Sequence, residues 1–444
     1  MASVVVVGAG ISGLAAAYRL QQHGVDVIVL ESEERAGGRV ATERRDGYII
    51  DTGPDALTAS YESYLRLVGD LGLADQVVDT SPIVGLVRRG RLIDIDTAKV
   101  MGLPFTPVLS ARGKIRLVRG LLKLRRSIKS VDTYELVRSA ASDDSNATAY
   151  DFGVRHFGTE VTEYLIDPMM RLTVGSGARE ASSLNVLGAL GAWSGPLCNM
   201  RGGLATVTDE LASRLPVHHG AIVTAIQENG PSVAVSYTDD TGAHELIADG
   251  CVIGAMYHRA TDLWPTLTTA SPAFGDKLRN VKLISVSLGY RVPTRSKAYP
   301  VLVPTVENSE ALLIFLQHNK SPDRAPKGHS LVTVYTDTSV TDRFLQRSDE
   351  QLEAWAAGIV ERLCPELSGH REMGVVTRWP FAGYLADPGF WRRTAALRDS
   401  LPASGRVVLA GDLFGAGSLE SAVRSGERAA AQVFDTSELQ WVDR

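Results

Sequence analysis

Cysteine is scarce: the chain has three in 444 residues, Cys198, Cys251 and Cys364, in no CxxC or Cys/His spacing. That rules out a disulfide framework or a cysteine-based zinc site as an organising element and fits reduced thiols in the cytoplasm. The nine histidines form no metal-spaced cluster with Asp or Glu, His218-His219 included, so no metal site is expected. A strong charge of one sign is also missing. The formal net charge of -5 argues against nucleic acid as the partner. Long apolar runs are absent too: the most apolar internal stretch, LNVLGALGAWSGPL, is interrupted by glycine and shorter than the ~20 residues a membrane span needs. No basic segment or small-residue cleavage site precedes the glycines of MASVVVVGAG, so this start reads as a folded strand of a cytoplasmic protein.

What is present begins at once. SVVVVGAGISGLAAAYRLQQHGVDVIVLES reads as strand, tight turn, alanine-rich helix and second strand, a βαβ unit. Gly8, Gly10 and Gly13, with Ile11 and Ser12 between the last two, form a GxGxxG loop. The first glycine permits the turn, the second lets backbone approach a pyrophosphate, and the third lets helix and strand pack. Glu31, followed by Ser32, ends the second strand, about 20 residues on, where a carboxylate would accept ribose hydroxyls. This much predicts a dinucleotide and leaves NAD and FAD equally open.

Gly37, Gly38 and Arg39 follow directly. A second glycine pair can pass close to a diphosphate and the arginine can bring a fixed charge to it. Glycine loop, acid and GGR together resemble the signature of the FAD-binding amine oxidase superfamily, and the resemblance covers the whole chain. It implies FAD as the cofactor, held non-covalently, since no cysteine stands in the region where a covalent flavin link would form. The closing stretch VVLAGDLFGAGSLESAVRSGERAA is similar to the same superfamily's last FAD element. There Gly411 and Asp412 would meet the ribityl chain, Ser418 and Leu419 would open a helix toward the flavin, and Gly426 would serve close packing.

Within the superfamily the chain most resembles protoporphyrinogen oxidase-like flavoproteins, through DGYIIDTGPDAL, the segment DFGVRHFGTEVTEYLIDPMMRLTVGSGAREASSLNVL, RGGLATVTDEL and RWPFAGY. The resemblance implies that Thr52, Gly53 and Pro54 border the flavin and that Val223 gives a backbone contact to adenine. RWPFAGYLADPGF departs from the proline-tyrosine and glycine-histidine pairs of porphyrinogen oxidases. In KLISVSLGY, Ser285 stands where monoamine oxidases keep a lysine, with Lys282 on the opposite strand face, and Ser418 replaces half of their aromatic cage.

The expected fold is α/β, α+β overall: a discontinuous Rossmann-like FAD-binding domain, a mixed-sheet substrate domain and a helical subdomain. The FAD-binding parts are 1–80, 197–262 and 400–444; the helical subdomain is 81–196 and the substrate sheet 263–399. The expected chemistry is removal of hydride from a C–H beside nitrogen or an allylic C–H of a bulky, largely apolar small molecule, with O2 as acceptor. The alternatives are an amine oxidase or desaturase of secondary metabolism, a flavin-dependent isomerase without net redox change, and a non-catalytic flavin-binding protein. Trp379 and Tyr384 are candidates for the pocket wall or for plain aromatic core. Arg171, after Met169 and Met170, is either a cationic substrate anchor above an apolar floor or a structural arginine. The run ARGKIRLVRGLLKLRRSIKS carries eight cations, all within residues 112–129, and no acid on an amphipathic helix, which either touches an anionic membrane as a peripheral contact or packs on its own domain.

Overall fold

Val4 to Val7 place apolar, β-branched side chains on both strand faces, which suits a strand covered on both sides. In the computed structural model, which describes residues 2–97, 107–192, 195–401, 405–415 and 417–433, Ser3–Val7 is the central strand of a five-stranded sheet. Its order is Val217–His218, Asp26–Leu30, Ser3–Val7, Gly250–Ile253, Val407–Leu409. All four pairings are parallel. The sheet therefore draws strands from the start, middle and end of the chain, a discontinuous Rossmann-like architecture. Helices Ile11–Gln22 and Leu419–Val433 cross so closely that a Cβ on Gly426 would lie 2.2 Å from the Ser12 carbonyl oxygen.

A seven-stranded mixed sheet stands beside it, ordered Arg371–Tyr384, Asn280–Tyr290, Ser330–Thr336, Ala311–Leu316, Pro300–Leu302, Ile83–Arg88, Arg91–Asp96. Helix Asp349–Leu363, opened by a Ser348/Gln351 capping box, covers one face through Leu352, Ala356, Ile359 and Val360 against Ile284, Val286 and Leu288. The opposite face presents Leu283, Leu313, Phe315 and Tyr335 to a large cavity.

The last two strands correct the expected helical subdomain at 81–196. Residues 83–96 form a hairpin paired in parallel onto Pro300–Leu302, so they belong to the substrate sheet. Its two-residue turn is Arg89 and Gly90, both at positive φ (52° and 69°), a mirror-image turn that matches strand twist. Arginine is an unusual first residue for such a turn, which hides it in the sequence. The helical part proper contains Ala111–Ser130, Ala149–Phe157 and Leu184–Ala192. Of the expected segments, 98–106 and 193–194 of the helical part and 402–404, 416 and 434–444 of the last FAD-binding part lie outside the described residues.

Helix Ala111–Ser130 is capped by Ser110, whose Oγ accepts from the Gly113 N–H at 3.1 Å. Leu117 and Leu124 face the core, whereas Ile115, Val118 and Leu122 are 59%, 50% and 67% exposed. Among the described residues no helix is long and apolar enough to cross a membrane, and no group of three His, Cys, Asp or Glu could hold a metal ion.

Candidate active site

The glycine loop makes a floor of bare backbone. Gly8 adopts φ 95°, a conformation that side chains oppose, and a Cβ on Gly13 would fall 2.1 Å from the Gly8 oxygen. A Cβ on Gly10 would meet no atom within 4 Å and would stand in the cavity instead. The second pair closes over the first: Gly37 N–H donates to Ala9 O at 2.8 Å, and a Cβ on Gly38 would come 3.4 Å from the Gly10 Cα. Such a cradle is shaped for a group that a methyl would displace, and donor-rich backbone at a helix start suits a diphosphate. Glu31 is buried beside it; its Oε2 accepts from Ala9 N–H at 2.6 Å and its Oε1 from Glu33 N–H at 2.9 Å and Ser32 Oγ at 3.3 Å. Those bonds aim the carboxylate and leave it lone pairs for hydroxyls.

Gly10, Ile11, Ser12, Glu31, Ser32, Gly37, Gly38 and Arg39 all line one cavity of about 1230 Å³. That exceeds the ~300–1,000 Å³ of an ordinary small-molecule pocket, so a dinucleotide and a second molecule fit together. Gly13 supports this wall from behind.

Arg39 and Asp412 meet across 373 positions of chain. Nη1 and Nη2 of Arg39 donate to Oδ2 and Oδ1 of Asp412, both at 2.9 Å, and Nη1 also donates to Ala382 O at 2.8 Å. The Asp412 charge lifts the guanidinium above its usual range against the opposing effect of burial. Arg39 was expected on a diphosphate and Asp412 on the ribityl hydroxyls; the structure joins them in a forked ion pair on the cavity wall. Gly411, at φ 138°, lines a small adjoining cavity and donates its N–H to Ser425 Oγ at 3.1 Å. Ser418 caps the last helix, its Oγ accepting from Ser421 N–H at 3.1 Å, and Leu419 lines the main cavity beside it.

Gly53 and Pro54 reach the cavity because nothing larger than glycine fits: a Cβ on Gly53 would lie 1.8 Å from the Arg39 oxygen. Thr52 is set back, its carbonyl accepting from Trp379 Nε1 at 2.6 Å and from Ser285 Oγ at 3.3 Å. Trp379 and Tyr384 both line the cavity. The Tyr384 hydroxyl accepts from Tyr257 N–H at 2.8 Å, and burial, reinforced by Asp412, raises its phenol well above the ordinary range.

Behind this turn lies a buried network without a sequence motif. Lys320 Nζ donates to Asp51 Oδ2 at 2.6 Å and Asp55 Oδ1 at 2.5 Å, and Arg324 pairs with Asp51 at 3.1 Å. Asp55 also accepts from Gln317 Nε2 at 2.5 Å, Tyr299 OH at 3.0 Å and Tyr335 OH at 3.2 Å. Burial pushes the Asp51 carboxyl up, but the Lys320 and Arg324 charges outweigh it and hold the group below its ordinary value.

Three expectations are corrected. Arg171 is fully buried and engaged: Nη1 donates to Val303 O at 2.8 Å and Asn308 O at 3.0 Å, and Nη2 to Asp337 Oδ2 at 2.6 Å. It ties helix Asp167–Val174 to the Asp337 cap of helix Thr338–Phe344, so that its terminal nitrogens are committed to structure although the residue also borders the cavity. Met169 and Met170 point into the core, and the cavity floor is Leu172 to Gly175 instead. Val223 is buried in its strand, away from the cavity lining, with its carbonyl accepting from Arg259 Nη2 at 3.2 Å. Lys282 pairs outward with Asp342 at 2.7 Å, in keeping with its strand face. Sequence reasoning missed Tyr61 and Tyr134, whose rings meet edge to face at 5.3 Å on the wall near Ser418, and Phe315 and Tyr335. No local pattern marks them, because each ring's partner comes from a distant segment.

A discontinuous dinucleotide-binding sheet, a bare-backbone cradle and an adjoining apolar chamber define a cofactor-dependent oxidoreductase. Residues 11–434 match the family described as flavin containing amine oxidoreductase, and the chain belongs to that family. It is similar to coproporphyrinogen III oxidase of Propionibacterium freudenreichii subsp. freudenreichii, 27% identical over 98% of this chain and 91% of that one. The same enzyme of Bacillus subtilis (strain 168) is 23% identical over 90% of each. Among solved structures, cyclohexylamine oxidase from Brevibacterium oxydans IH-35A superposes with a TM-score of 0.76 at 20% identity, covering 97% of this chain and 98% of that one. The protein is thus a flavin-containing oxidoreductase related to porphyrinogen oxidases.

Proposed function

We propose that the protein is an FAD-dependent oxidase, protoporphyrinogen oxidase-like in organisation, acting on a bulky, largely apolar molecule with O2 as electron acceptor. The observation that carries this reading is the single cavity that begins on the glycine cradle and continues, past Gly53 and Pro54, into a chamber walled by Leu172, Val281, Leu283, Leu313, Phe315 and Trp379. Gly10, Gly38 and Glu31 would hold the diphosphate and ribose of FAD, and among the described residues no cysteine lines the cavity. The chemistry that FAD supplies when bound is acceptance of a hydride, from a C–H beside nitrogen or an allylic C–H, and delivery of the electrons to O2. The chain's own part is to orient the substrate and exclude water. Trp379 is pinned by its bond to Thr52 O, and Tyr335 by its bonds to Gly53 O and Asp55, so the aromatic wall is rigid.

The test is the visible spectrum of the purified protein, with oxygen uptake during turnover. An oxidised-flavin band, FAD released intact by acid, and oxygen consumption support the reading. Turnover without oxygen uptake would replace it with a non-redox isomerase, and no turnover of any substrate with a bare flavin-binding role. A secondary-metabolism amine oxidase or desaturase is the second reading; Ser418 serves as a helix cap where monoamine oxidases would keep an aromatic cage residue, which speaks against a simple primary amine. The same reading includes peripheral contact with anionic membrane through helix Ala111–Ser130, supported by exposed Ile115, Val118 and Leu122 among its cations. Co-sedimentation with phosphatidylglycerol vesicles, lost in Leu122→Glu, tests it.

A further inference from the structure

Tyr384 ends the strand Arg371–Tyr384 of the substrate sheet, yet its hydroxyl stands on the cradle side of the cavity. The strand end lies along Arg39: Ala382 O accepts from Nη1 at 2.8 Å, and a Cβ on Gly383 would come 4.0 Å from the same nitrogen. The hydroxyl itself is tethered to Tyr257, whose N–H donates to it at 2.8 Å. Gly254, three residues before that tether, packs on the glycine loop, since its Cβ would lie 3.2 Å from the Gly13 Cα and 3.3 Å from the Gly8 oxygen. Tyr384 therefore borders both the main cavity and the small one adjoining it, and Ser12, Arg39 and Asp412 border both with it.

The hydrogen bonding of this phenol is half complete. Its oxygen accepts from Tyr257, which leaves the O–H to be used, and among the described residues that O–H has no acceptor. Burial, reinforced by Asp412, keeps the group protonated at neutral pH, so it can only be a donor toward the cavity. Asp412 does not take the proton, because both of its oxygens accept from Arg39. A tyrosine so enclosed ordinarily finds a partner. What completes it is an oxygen acceptor brought into the cradle from outside the chain.

We infer that the Tyr384 O–H donates to an anionic oxygen of the cofactor diphosphate, so that this residue binds the cofactor and does not wall the substrate chamber. An acceptor beside the Arg39 guanidinium and the start of helix Ile11–Gln22 is favoured when it carries negative charge, which selects the diphosphate over the ribityl hydroxyls. The inference rests on the FAD reading and adds to it a donor that reaches the cofactor from the substrate sheet.

The experiment titrates FAD and ADP separately into the flavin-free protein at pH 8 by calorimetry, for wild type and Tyr384→Phe. ADP carries the diphosphate without the ribityl chain or the flavin. Both ligands should bind the variant about tenfold more weakly or worse, as expected for a lost hydrogen bond to a charged acceptor. The variant also deprives the Tyr257 N–H of its acceptor, so phosphorus NMR of bound ADP supplies a readout that a purely structural loss would not move: a bound resonance should shift between wild type and variant. Unchanged affinities, a loss for only one of the two ligands, or identical phosphorus spectra would each overturn the inference. A wild-type protein that binds neither FAD nor ADP would refute the underlying reading instead, so the two failures are told apart.

Discussion

Replacing Lys320 by Met tests whether the buried network behind Gly53 and Pro54 holds the cavity wall. The ammonium sits 2.6 Å from Asp51 and 2.5 Å from Asp55, with no solvent access to Lys320 or Asp51 and almost none to Asp55. Removing one partner of a buried pair costs about 3–5 kcal/mol, because the other charge is left uncompensated. Two features place this case at the low end. Arg324 stays 3.1 Å from Asp51, and Asp55 keeps the donors Gln317, Tyr299 and Tyr335. A loss of about 3 kcal/mol is therefore expected, roughly a hundredfold in the unfolding constant at 1.4 kcal/mol per decade. Urea unfolding followed by circular dichroism at pH 8 measures it. Adding Asp55→Asn to Lys320→Met should recover part of the loss. Because Asp55 follows Pro54, the single variant should also retain less flavin through gel filtration. A denaturation midpoint equal to wild type, or no recovery on adding Asp55→Asn, would refute the reasoning.

Further predictions follow from the same geometry. Asp412→Ala removes a charged acceptor worth about 1.5–3 kcal/mol per bond and frees Arg39, so the flavin-to-protein absorbance ratio after gel filtration should fall; full occupancy would refute the assignment. Gly10→Ala should leave the melting temperature of the flavin-free protein near wild type while FAD affinity drops, whereas Gly53→Ala should lower both, since its Cβ would lie 1.8 Å from the Arg39 oxygen. Burial lowers the His318 imidazole to about 4, so its neutral form stabilises the fold fully above pH 6.5, and that contribution is lost as the pH falls from 6.5 toward 4. His318→Gln should flatten stability in that window by about 3 kcal/mol at most, at 1.36 kcal/mol per unit. Arg171→Met should shift thermal stability and leave the KM of any substrate unchanged; a KM effect at unchanged stability would restore the anchor role.

What could be read from the sequence was what is local. GAGISG, Glu31 and the GGR triplet lie within 39 residues of the start; Gly8, Gly37 and Gly38 take the positive φ such turns need, and Glu31 lies beside them. The closing Gly411-Asp412 element was legible for the same reason. Arg171 was not, because its partner Asp337 lies 166 residues away, and no spacing rule links them. Lys320 and Asp51, 269 residues apart, escaped notice likewise. Val223 was placed by resemblance alone, and it lies beside a β-bulge that no local pattern announces. The hairpin at 83–96 was hidden by arginine in a turn position that favours glycine or asparagine.

The Arg39 fork gathers the cradle, the Ala382 carbonyl of the substrate sheet and the C-terminal Asp412 at one guanidinium. While the chain is still being made, Arg39 emerges early and waits for a partner that is translated last, and the edge strand Val407–Leu409 is equally late. The fork therefore closes only once residue 412 has been made. A chain truncated before residue 412 would leave that arginine without the acid that holds it.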